Sequence, residues 1–159
     1  MYIEKYWGNY IGGTDDSLTL LEYLVDKQQS EIPLSEIFAD TGLDKLEWDF
    51  RKTEPFLEYK GQDGFGYEFR YAIDVVTDLA ALMLECIVNG NVSLGELLDN
   101  EDKNIVRITF TEEEKNSINK ALADFVKDPL AYDLHEMVPD EDMREMARDC
   151  ENLRRELCE

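Results

Sequence analysis

The chain has 159 residues, 37 acidic and 16 basic, for a formal net charge of −21. An apolar content of 43% with 17 aromatics argues against an acidic disordered chain, and no segment reaches the roughly 18 apolar residues of a membrane span. At this length a single domain over residues 1–159 is expected, with residues 139–159 forming a C-terminal helix docked on the body.

The opening, MYIEKYWGNY, lacks the basic and apolar regions of a signal peptide. Three cysteines without CxxC spacing imply neither a disulfide framework nor a zinc site, and a cytoplasmic location is expected. Gly12-Gly13 makes a bend into TDDSLTLLEYLVDKQ, a helix in which Leu18, Leu21, Leu24 and Val25 recur at helical spacing and belong to the core. Asp15, Asp16 or Ser17 can cap its first turn, where negative charge also suits the dipole. Trp7 and Tyr10 are expected to cover a core edge, the alternative being exposed anchors for a partner. Pro33 opens the shorter helix PLSEIFAD, which Gly42 ends. LEWDFR alternates as a strand does, with Leu46, Trp48 and Phe50 on one side and Glu47, Asp49 and Arg51 on the other. PFLEYK and YEFRY flank GQDGFG, whose glycines can supply positive φ at a turn, so a β-hairpin is predicted.

AIDVVTDLAALMLECIV is the candidate central helix, apolar at Ile73, Val76, Leu79, Leu82, Met83, Cys86 and Ile87. Its acids Asp74, Asp78 and Glu85 share one narrow stripe, which reads as the single exposed edge of a buried helix. Gly90 closes it, and SLGE has capping-box spacing ahead of a short helix. NIVRITF reads as a strand, followed by a capped helix, TEEEKNSINKALADFV, that Pro129 stops. From Pro139, the apolar positions Met143, Met146, Cys150, Leu153 and Leu157 form a thin seam at 3-4 spacing. Such a seam docks on the body or pairs with another helix, and its length favours docking. The fold class is therefore α+β, with about five or six helices packed beside a small, mostly antiparallel sheet.

Catalytic chemistry finds little support. His135 is the only histidine, which rules out two-histidine metal sites and most triads that rely on one. GQDGFG has the wrong glycine spacing and no lysine for a phosphate loop. DNEDKN begins like a calcium loop but lacks its glycine and final glutamate. Paired carboxylates are so abundant that none is singled out, and the EEE and DED triplets sit where helix starts already favour acids. No enzyme activity, cofactor or metal is expected, the competing reading being a metal-dependent hydrolase built from Asp and Glu alone.

The charge points to a partner. It is spread along the chain, −8 over residues 1–66, −6 over 67–103, −2 over 104–135 and −5 over 136–159, so it belongs to the body and not to a tail. Such a body repels nucleic acid and anionic membranes and attracts basic proteins over a Debye length of about 8 Å at physiological salt. YWGNYIGGTDDSLTLLEYL, with the size, acidity and α+β pattern of the rest, resembles the immunity proteins of bacterial polymorphic-toxin and contact-dependent growth inhibition systems. The likeness is strongest over residues 6–25. It implies a cytoplasmic antitoxin that neutralises one cognate toxin domain, in many cases a basic RNase or DNase, and that is a monomer or weak dimer when free. An adaptor dimerising through the C-terminal seam is the other alternative. Contact residues are expected among acids beside aromatics, Glu47, Asp49, Glu58 and Asp63, and on the loop carrying Asp99, Glu101 and Asp102, since loops carry binding more often than core elements.

Overall fold

A computed structural model describes residues 1–53, 57–102 and 104–159. The elements follow in chain order. A 3-10 turn, Tyr2–Lys5, precedes β1 (Trp7–Asn9), β2 (Ile11–Gly12) and α1 (Asp15–Lys27). Next come β3 (Glu31–Pro33), α2 (Leu34–Thr41), a 3-10 turn at Leu43–Leu46, β4 (Leu57–Lys60), β5 (Gly66–Phe69) and α3 (Ala72–Asn89). The remainder is β6 (Val92–Ser93), α4 (Leu94–Leu97), β7 (Ile105–Thr109), α5 (Glu112–Lys127), 3-10 turns at Pro129–Ala131 and Asp133–Glu136, and α6 (Asp140–Cys158).

The most apolar stretch of the sequence becomes the centre. Every residue of α3 from Ala72 to Cys86 is buried, because α1, α5, α6 and the short strands pack around it. A helix apolar on nearly all sides has no other way to leave water. Gly90 ends it at φ 84°, its N–H donating to the Cys86 carbonyl, a conformation that suits glycine. The seam of α6, Met143, Met146, Cys150, Leu153 and Leu157, is buried against α3 and α5. Docking has thus used the surface that a partner helix would have needed.

The α+β class holds, but the strands make three small sheets where the sequence suggested one. β3 and β7 pair in parallel, β7 and β6 antiparallel, β4 and β5 antiparallel, and β1 and β2 form a brief parallel bridge. No strand exceeds five residues among those described, too short to build a continuous sheet beside so much helix. The hairpin stands in the register Leu57↔Phe69, Glu58↔Glu68, Tyr59↔Tyr67 and Lys60↔Gly66. Pro55 and Phe56, assigned to its first strand from the sequence, lie outside the described residues.

Three local expectations are corrected. LEWDFR is not a strand: after the 3-10 turn, Glu47 and Trp48 both take positive φ, 54° and 65°, and reverse the chain. Its alternation reflects an aromatic cluster, Trp48 and Phe50 packing on Phe38 from α2. Leu18 is not core but 51% exposed, since α1 buries Leu20, Leu21, Tyr23 and Leu24 instead. Ile87, on the last turn of α3, is likewise exposed. Finally, α1 is capped by Thr14, whose Oγ1 accepts the Ser17 N–H while Ser17 Oγ accepts the Thr14 N–H, both at 3.2 Å. Asp15 and Asp16 are therefore not its capping residues.

Candidate functional site

The acidic stripe of α3, expected to face solvent, is buried: Asp74 is 3% exposed, Asp78 0% and Glu85 1%. Ile87, Val88 and Asn89, at its C-terminal end, are what this helix exposes. Carboxylates tolerate such burial only with donors at hand, and residues 3–17 supply them. Glu85 Oε1 accepts the Ile3 N–H at 2.8 Å, and Asp78 accepts the Gly12 N–H at 2.8 Å and the Ser17 hydroxyl at 2.6 Å. Asp16, buried on α1, accepts the Arg70 and Tyr71 N–H groups at 2.9 Å each and so fixes the end of β5. The close approach requires Gly12 and Gly13. A Cβ on Gly12, at φ 79°, would lie 2.1 Å from the Trp7 indole, and one on Gly13 would lie 2.1 Å from the Asn9 carbonyl oxygen. Trp7 thus covers the bend, half-buried. Tyr10 is half-buried too, its hydroxyl donating to Asp142 on α6 at 3.0 Å. The opening motif is structural, and the stripe on α3 is the set of points to which it is fastened.

Asp74 is the exception. Its Oδ1 is buried without a hydrogen-bond partner among the described residues. Burial, then the nearby Asp78, Asp16 and Asp133 carboxylates, push it up to about 8, so it is protonated at neutral pH. Burial also raises Asp78, to about 7, against the pull of its two hydrogen bonds.

A cleft of about 1250 Å³ lies beside the N-terminal end of α1 and is lined by both signs of charge, among them Asp16, Arg51, Arg70, Tyr71, Asp133 and His135. Arg51 there is occupied by a forked pair with Asp124 at 2.9 and 2.8 Å, and the Tyr132 hydroxyl donates to the same carboxylate at 2.6 Å. His135 hydrogen-bonds to Asp140 at the start of α6. Among the described residues no group of three or more His, Cys, Asp or Glu side chains is placed to hold a metal ion. Cys86 and Cys150 are buried and Cys158 half-buried, all three as free thiols.

The seven acids singled out in the sequence are all exposed, but they do not converge. Glu47 and Asp49 follow α2, Glu58 and Asp63 belong to the hairpin, and Asp99, Glu101 and Asp102 lie on the loop after α4. Asp49 borders a depression with Trp48, Lys120 and Asp124, whereas Glu101 and Asp102 border another with Met1, Asn89 and Asn91. The sequence reading passed over Phe65 and Glu68 on the hairpin. A phenylalanine between two glycines of a turn, and a glutamate placed opposite Glu58 by counting back from that turn, were the available signals.

These features define a small acidic α+β protein in which Asp16, Asp78 and Glu85 are buried on its own backbone N–H groups while exposed acids are spread over helices, strands and turns. The family model of Immunity protein 68 (Imm68) matches residues 2–157, and the chain belongs to that family. Immunity proteins are generally non-enzymatic, so membership supports an antitoxin role and implies a cognate toxin as partner. No curated protein and no solved structure matches the chain. The resemblance noted in the opening motif is thereby borne out at family level. Among the described residues no helix is long and apolar enough to cross a membrane.

Proposed function

We propose that residues 1–159 act as one immunity domain that binds and neutralises a basic nuclease toxin domain in the cytoplasm through its acidic surface. The observation that carries this reading is the family match over residues 2–157. The charge of −21 supports the finer part of it. A groove that holds phosphates presents Arg and Lys, and exposed carboxylates can occupy their place. Glu47, Asp49, Glu58, Asp63, Asp99, Glu101 and Asp102 are the proposed contact acids, each exposed and each on a turn, loop or edge strand. The free protein acts as a monomer or weak dimer, and inhibition involves no bond made or broken.

The test is direct. The C-terminal domain of the protein encoded immediately upstream is expressed in bacteria with and without this chain. Growth should be arrested by the domain alone and restored by co-expression. The purified domain should cut RNA or DNA until one equivalent of the chain is added. Unrelieved arrest, or cleavage indifferent to the chain, would overturn the reading.

A further inference from the structure

The β4–β5 hairpin has two features that its own packing leaves unused. Phe65, at the tip, is 57% exposed. It is nonetheless held in place, its ring 5.0 Å from that of Tyr67 in a T-shaped contact, with Tyr67 resting on Tyr59 and Tyr23. The turn backbone is fixed as well. The Gly61 N–H donates to the Phe65 carbonyl at 2.7 Å, the Phe65 N–H to Asp63 Oδ1 at 3.0 Å, and the Gln62 N–H to Asp26 on α1 at 3.3 Å. The second feature is the outward face of the sheet, where Glu58 and Glu68 stand directly opposite each other, both exposed. Neither takes part in an ion pair among the described residues. Like charges in that position destabilise a sheet until a cation is brought between them.

We propose that this hairpin is the principal docking surface for the toxin, with Phe65 as the anchor and Asp63, Glu58 and Glu68 as the groups that pair with its cations. The inference rests on the antitoxin reading above and deepens it. Charge complementarity selects the occupant, a basic protein surface, because Asp63 bonds to the Phe65 backbone in the turn and Glu58 and Glu68 stand together on the outward face of the same hairpin. Binding energy concentrates in a few desolvated aromatics within a ring of near-neutral contacts, and a cation over the ring face adds to it. An anchor already held by its own turn loses little freedom on binding. Trp48, the other exposed aromatic among the described residues, is committed to the Phe38–Phe50 cluster.

Calorimetry and stopped-flow mixing with the upstream-encoded C-terminal domain test it. Phe65→Ala should raise Kd by about 30-fold or more, as loss of a central anchor does, with the thermal midpoint unchanged. Glu58→Gln with Glu68→Gln should lower the association rate at low salt, while the charge-matched pair Glu31→Gln with Glu113→Gln, both exposed and outside the proposed contact acids, should change Kd by less than about threefold. Tight binding by the parent with Phe65→Ala within about threefold of it, or a larger loss from the Glu31→Gln and Glu113→Gln pair, overturns the hairpin but leaves the antitoxin reading intact. So does a parent that dimerises through this surface, seen as a dimer in sedimentation that Phe65→Ala abolishes. A parent that fails to bind at all overturns the antitoxin reading, and the inference falls with it.

Discussion

Asp74 concentrates an electrostatic cost at one residue. Its carboxyl, with Oδ1 unpartnered among the described residues, is held neutral, its value raised to about 8 by burial and then by the Asp78, Asp16 and Asp133 charges. A group that binds its proton more tightly folded than unfolded contributes stability that is complete below its unfolded value near 3.9 and is lost as the pH rises through about 8. Asp78, raised to about 7, acts in the same direction. Asp74→Asn keeps the shape without the charge, so its urea midpoint should exceed the parent's at pH 9. One pKa unit is about 1.4 kcal/mol, so even half of the Asp74 rise makes that gap roughly 3 kcal/mol. Lowering the pH toward 4 should close it, and a gap independent of pH would show that Asp74 is ionised in the fold. None of this was legible locally. The stripe of Asp74, Asp78 and Glu85 reads as a solvated edge because the donors that permit its burial, at Ile3, Gly12 and Ser17, lie 61 to 82 positions away.

Helices whose ends and faces are set by nearby residues were readable in advance. The Thr111–Glu114 capping box starts α5, Gly42 and Gly90 end α2 and α3 in the left-handed region, and the α6 seam lies in the core at every position named for it. LEWDFR misled because an aromatic cluster built around Phe38 imposes the same alternation as a strand. Leu18 misled because three leucines and a tyrosine already fill the inner face of α1. Two substitutions separate cap from packing. Thr111→Ala removes an exposed N-terminal cap and should cost about 1 kcal/mol. Leu153→Ala, in a fully buried seam position, should cost about 2–5 kcal/mol. Denaturant melts of the two variants should differ accordingly, and comparable losses would mean that α6 is only loosely seated.

At the scale of the whole molecule, charge governs the rate of encounter more than the strength of the complex. Association with a basic toxin domain should approach about 10⁸–10⁹ M⁻¹s⁻¹ at low salt. It should slow at least about tenfold as ionic strength rises from about 0.01 to 1 M and the Debye length shrinks from about 30 to 3 Å, with dissociation nearly unchanged. Stopped-flow mixing across that range checks it, and a flat association rate would remove charge from the mechanism. An acidic body was legible in the composition, but no single contact surface was, since acids cover every quarter of the chain. The attachment of the opening segment bears on timing. Tyr2, Tyr6 and Lys5 all bond to Glu156, and Tyr10 bonds to Asp142, partners 132 to 154 positions apart. Closures this distant form late and slow the search for the native state. During translation the bonds to α6 form only once residues 142–156 have left the ribosome, and until then the opening segment has α3 to hold it, through the Ile3 N–H on Glu85 and the Gly12 N–H on Asp78.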